Sequence, residues 1–115
     1  MTRPTIDVAT FNELKETAGA DFINELVDTF LTEAPLMLAE LRSAFAARDA
    51  DVFRRAAHSL KSNANTFGAH TLGAMARELE LTGLDPVLKA NAQPLAALEQ
   101  EHARVSAALT ELRNG

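Results

Sequence analysis

From Leu95 to Leu112 the apolar side chains recur in alternating steps of three and four, at Leu95, Leu98, Val105, Leu109 and Leu112, with His102 on the same stripe. Only a helix gathers residues at that spacing onto one face. Much of the chain repeats the pattern. Phe22, Ile23, Leu26, Val27, Phe30 and Leu31 form one stripe, which Leu38, Leu41 and Phe45 continue, and Leu72, Met75, Ala76 and Leu79 form another. Alternation of β-branched with polar residues, the mark of a half-buried strand, is nearly absent. The fold class implied is all-α.

Glycine, proline and aspartate punctuate these stripes. A short first helix is predicted from about Phe11 to Thr17, ended by Gly19 in the C-terminal cap role. The second runs from about Asp21 to Arg48 and contains Pro35. Proline has no N–H to donate and crowds the carbonyl four residues back, here Leu31, so a kink or a break is expected. Because the stripe continues past Pro35, one bent helix is favoured over two. Asp49 suits the N-cap of a third helix reaching Phe67. Gly68 then makes a tight turn, a fourth helix runs to Gly83, and Asp85-Pro86 marks a loop. The last helix starts near Pro94, a residue favoured in a first helical turn. Four longer helices with short joins predict an antiparallel four-helix bundle with a short extra N-terminal helix.

A length of 115 residues fits a single domain, residues 1–115, able to build a core without staples. There is no cysteine, so disulfides and thiolate metal sites are excluded. A net charge of -5 disfavours nucleic acid as a partner unless one face is locally basic, and no Trp or Tyr is present to stack bases. No apolar run is long enough to cross a membrane, and the N-terminal stretch MTRPTIDVAT lacks the apolar segment of a signal peptide. A cytoplasmic monomer is expected, and Met1 together with the set of four long helices favours a free-standing protein.

Chemistry concentrates in residues 56–69, AAHSLKSNANTFGA. With His58 at 0° and about 100° per residue, Lys61 falls near -60°, Ser62 near +40°, Asn65 near -20°, Arg54 near -40° and Arg55 near +60°. Phe53, Ala56, Ala57, Leu60, Ala64 and Phe67 collect on the opposite side. His58 therefore lies in the middle of the polar face of a cleanly amphipathic helix, flanked by three cations. That pattern excludes a core histidine. It leaves two readings: a solvated histidine on a charged surface, or a nucleophilic imidazole that carries an anionic group. The second needs an exposed ring nitrogen, an orienting partner for the other nitrogen, and nearby cations.

The segment His58-Ser59-Leu60-Lys61-Ser62, followed by Gly68 ten residues after the histidine and by Leu79-Glu80, resembles the histidine-containing phosphotransfer (HPt) domains of two-component phosphorelays. The family pattern is His-x-Leu-Lys-Gly, a later glycine, and a Leu-Glu or Leu-Gln pair in the next helix. The upstream stretch FLTEAPLMLAELRSAFAARDADVFRRAA is similar too, and the likeness spans about residues 7–113. It implies that His58 is the phosphoacceptor, that Lys61 neutralises phosphoryl charge, and that Glu80 accepts a hydrogen bond from the inner ring nitrogen and so orients the ring. Gly68 would permit the close turn between the two helices. Ser62 departs from the usual glycine; its extra atoms could narrow the choice of docking partners or bond the phosphoryl group.

The implied function is a phosphorelay intermediate that takes a phosphoryl group from a receiver-domain aspartyl phosphate and passes it to another receiver. Partners would be receiver domains of response regulators and of hybrid histidine kinases, docking over Arg54, Arg55, Ser62, Asn65 and Gly68. No intrinsic cofactor is implied; Mg²⁺ would reside in the receiver. Without a Gly-rich phosphate loop or nucleotide signature, the chain should be a carrier with no ATP-dependent autokinase activity. The alternative is a four-helix adaptor or decoy that binds a receiver or histidine kinase without exchanging phosphate. His70 reads as a surface residue at a helix start, with a lesser chance of lining the docking rim, and His102 as a packed or edge histidine. No paired histidines suggest a metal site. In RELE at 77–80 only Glu80 is singled out from an otherwise solvated face.

Overall fold

A computed structural model describes residues 5–114, and among them the regular structure is entirely helical. Six helices follow in order: α1 (Val8–Ala18), α2 (Ala20–Ala47), α3 (Ala50–Thr66), α4 (His70–Thr82), α5 (Leu84–Lys89) and α6 (Gln93–Asn114). The expected domain span, 1–115, and Met1 itself extend beyond the described residues.

The capping groups explain the boundaries. α1 begins three residues before the expected Phe11 because the Asp7 carboxylate accepts from Ala9 N at 3.1 Å, a cap the sequence reading missed. Asp49 caps α3 as expected, accepting from Val52 N at 3.2 Å. α2 runs unbroken through Pro35. An interior proline costs on the order of 3 kcal/mol. Ala34 and Leu38 on either side of it are buried, so the helix is held in place by its packing.

Two expectations need correction. Asp85-Pro86 lies within α5, a second short helix, instead of a loop. Pro86 occupies the first turn, where a missing N–H costs nothing, and Asp85 there complements the helix dipole. Phe22 was placed on the apolar stripe of α2, yet it is half exposed. Ile23, Val27 and Phe30 form the inward face, and Phe22 sits about 100° away from Ile23 around the helix.

α3 packs most extensively on α4; α2 packs on both α3 and α6, and α4 on α6. The interior is filled by side chains such as Leu41, Phe53, Leu60, Leu72, Leu98 and Leu109, all sealed from solvent. Two forked ion pairs tie α2 to α6: Arg42 to Glu99 at 2.9 and 2.6 Å, and Arg113 to Asp28 at 2.6 and 2.9 Å. Their order along the two helices makes that pair antiparallel. Among the described residues no helix is long and apolar enough to cross a membrane.

Candidate functional site

α3 carries its apolar residues on one side, so burial of Phe53, Ala57, Leu60 and Ala64 turns His58 outward. Its side chain is 57% exposed. Across the α3–α4 contact, His58 Nδ1 lies 2.6 Å from Glu80 Oε2, and Lys61 Nζ donates to Glu80 Oε1 at 2.8 Å. One carboxylate therefore takes an imidazole on one oxygen and an ammonium on the other. Glu80 and Lys61 are more sheltered than the ring, at 20% and 23% exposure.

This geometry assigns the tautomer. The hydrogen bond from Lys61 is the main influence holding Glu80 below its ordinary pKa; partial burial opposes it, and the His58 bond adds to it. Ionised Glu80 can only accept, so Nδ1 carries the proton, and in the neutral ring that leaves the lone pair on Nε2. Nε2 has no partner among the described residues. A fixed ring with an open basic nitrogen is what a nucleophilic imidazole requires.

The structure brings His58, Lys61 and Glu80 together but spreads the other predicted residues. The Lys61 ammonium, for which the resemblance implied contact with a phosphoryl group, is engaged by Glu80. Arg54 is exposed and pairs with Asp51 at 3.1 Å. Arg55 is exposed and donates from Nε to the Asp51 carbonyl at 3.4 Å. Ser62 is exposed one turn beyond His58. Asn65 Oδ1 lies 3.4 Å from His70 Nδ1, and a Cβ on Gly73 would overlap the same oxygen. Gly68 was placed among the docking residues, but it is buried and offers no contact surface. Its carbonyl accepts from Asp7 N at 2.9 Å, and its φ of +81 is one that side chains other than glycine rarely adopt. Its place is in the turn and under α1.

Next to the site a groove of 460 Å³ separates α2 from α3, lined by Glu33, Leu36, Met37, Glu40, Arg55, Ala56 and Ser59. Leu36 is 61% exposed there. Of the other histidines, His70 is exposed at the start of α4, 3.8 Å from Asp7. His102 is partly buried, its ring 6.2 Å from that of Phe30 and its Nε2 3.2 Å from Ser106 Oγ. Burial lowers its pKa. Among the described residues no three metal-ligating side chains converge. Sequence reasoning missed Gly73, whose signal was a residue without a side chain seven positions before Glu80 on the same helical stripe. It also passed over Arg77, between the two.

Known proteins share this fold. The chain is similar to the histidine-containing phosphotransfer protein B (HptB) of Pseudomonas aeruginosa PAO1, with a TM-score of 0.81, 29% identity, and coverage of 98% of this chain and 97% of that one. The HPT domain of a Shewanella sensor hybrid histidine kinase shares the fold at a TM-score of 0.75 and 14% identity, over 94% of this chain and 92% of that one. Sensor protein TorS of Escherichia coli (strain K12) is 33% identical over 76 residues, 66% of this chain but only 8% of TorS. The Hpt domain profile matches residues 25–115, from within α2 onward and without α1. The chain belongs to the Hpt domain family, whose members serve phosphotransfer in two-component signalling as phosphocarriers rather than kinases.

Proposed function

We propose that the chain is a phosphorelay intermediate that accepts a phosphoryl group on His58 Nε2 from a receiver's aspartyl phosphate and returns it to the aspartate of another receiver. The 2.6 Å contact between His58 Nδ1 and Glu80, beside an exposed ring, is the observation that carries this reading. In the forward step the Nε2 lone pair attacks phosphorus in line. A P–N bond forms, the P–O bond to the receiver aspartate breaks, and that carboxylate leaves with the electron pair. Positive charge developing on the ring is balanced through the Nδ1 proton by Glu80. The reverse step charges the next receiver.

The chain's share of the work is positioning, and its partner supplies the rest. A divalent cation such as Mg²⁺ belongs to the receiver's acidic pocket, where it would neutralise phosphoryl oxygens. The α2–α3 groove, with exposed Leu36 beside Arg55, Glu33 and Glu40, supplies an apolar patch with a mixed-charge rim for a receiver. Receivers of response regulators and of hybrid kinases are the partners proposed, with no nucleic acid or membrane, and the chain acting as a cytoplasmic monomer without a cofactor of its own. The contacts among α2, α3, α4 and α6 support an antiparallel four-helix bundle as the scaffold.

The test is incubation with a panel of phosphorylated receivers and Mg²⁺. Acid-labile, base-stable label should appear on wild type and be absent from His58→Gln. Binding of a receiver without label on wild type, across the panel, would favour the adaptor or decoy and sink the relay.

A further inference from the structure

We propose that Arg77 is the cation that binds the phosphoryl group carried by His58, while Lys61 serves Glu80. The inference deepens the relay reading and rests on it. Its starting point is the register of α3 against α4. His58 meets Glu80, and seven residues on, Asn65 meets Gly73, seven residues back. The two helices therefore run antiparallel in constant register, and Arg77 is level with Lys61. On α4, Arg77 follows Gly73 by four and precedes Glu80 by three, so the three share the stripe turned toward α3. Arg77 thus stands at the rim of the α3–α4 seam, one turn along from the His58–Glu80 bond, and its side chain is exposed.

The other cations are committed elsewhere. Lys61 is held by Glu80 at 2.8 Å, and Arg54 by Asp51 at 3.1 Å. Arg55 bonds the Asp51 carbonyl and shares its groove with Glu33 and Glu40. Arg77 makes no ion pair among the described residues. A planar fork of donors suits two phosphoryl oxygens, which a single ammonium already shared with a carboxylate does not. Arg77 touches neither reacting nitrogen nor proton; it offsets the charge of the oxygens in the loose transition state and in the phosphohistidine.

Two measurements on wild type, Arg77→Gln and Arg77→Lys test this. In the first, each protein is phosphorylated chemically with phosphoramidate, and the His58 signal, identified by its loss in His58→Gln, is titrated by ³¹P NMR. Loss of Arg77 should raise the pH at which the phosphoryl dianion takes up its first proton, with the lysine variant in between. In the second, transfer from a phosphorylated receiver should slow by roughly tenfold or more in Arg77→Gln, the scale of one charge-assisted hydrogen bond missing from a transition state. Circular dichroism should show unchanged helicity. Wild-type titration and transfer rate in Arg77→Gln would overturn the proposal, as would the absence of any His58 phosphoryl signal. If receivers fail to label wild type while the NMR shift persists, the relay reading fails and the Arg77 contact stands.

Discussion

At the scale of single residues, Glu80 connects everything chemical about the site. Its two oxygens are divided between His58 and Lys61, so the carboxylate stays ionised and the ring stays in one tautomer. Lys61→Met should raise the Glu80 pKa toward 4.5, because the Lys61 bond is the largest cause of its lowering. Carboxyl NMR titration checks this; an unmoved titration would mean that His58 alone holds the charge. The sign for stability follows. Glu80's contribution is present above its unfolded value of 4.5 and is lost as pH falls through its lower folded value. The placement of His58 was legible in the sequence, because a polar face follows directly from helical pitch. Its contact with Glu80 was implied only by resemblance, since residues 22 positions apart have no periodic relation. The bond from Lys61 to Glu80 had no sequence signal, because a lysine's direction depends on which neighbour comes within reach.

Among the elements, the α3–α4 turn is the least forgiving. Gly68 combines a φ of +81 with a site where a Cβ would sit 2.9 Å from the Asp7 carbonyl and 3.0 Å from Thr10 Cβ. Gly68→Ala should cost about 1–3 kcal/mol for the backbone conformation alone. The clash with backbone adds to it, and thermal or urea denaturation reads the loss. Gly73→Ala should cost clearly less, since the obstruction is the end of the exposed Asn65 side chain, which can swing aside. Equal losses would mean that α4 cannot tolerate any Cβ against α3. Helix existence was legible from the stripes. What escaped were ends and short pieces: the Asp7 cap, the α5 turn at Asp85-Pro86, and the outward Phe22. Each depends on what packs nearby more than on local spacing.

Over the whole molecule, the seam between α2 and α6 contains the one histidine whose ionisation burial suppresses. His102 sits beside Phe30, and burial lowers its pKa below 6.5. Below pH 6.5 the unfolded chain takes up this proton before the folded one does. Stability therefore declines as pH falls through that value, until the folded pKa is reached. His102→Leu should flatten the decline below pH 6.5 without changing stability at alkaline pH by the same amount. Denaturation midpoints across that range decide it, and an unchanged slope would put the acid sensitivity elsewhere. The all-helical class was readable from period; the ion pairs Arg42–Glu99 and Arg113–Asp28 were not, because they join residues 57 and 85 positions apart.

A bond that reaches from α3 to α4 also makes His58 a reporter on its own scaffold. Sliding α4 by a single helical turn, about 5.4 Å, would carry Glu80 out of reach of the ring. The imidazole would then be free to rotate and to exchange tautomers, with no residue of α3 altered. Anything that wedges between these two helices, ligand or mutation, therefore releases the ring from behind while the exposed face of α3 stays intact.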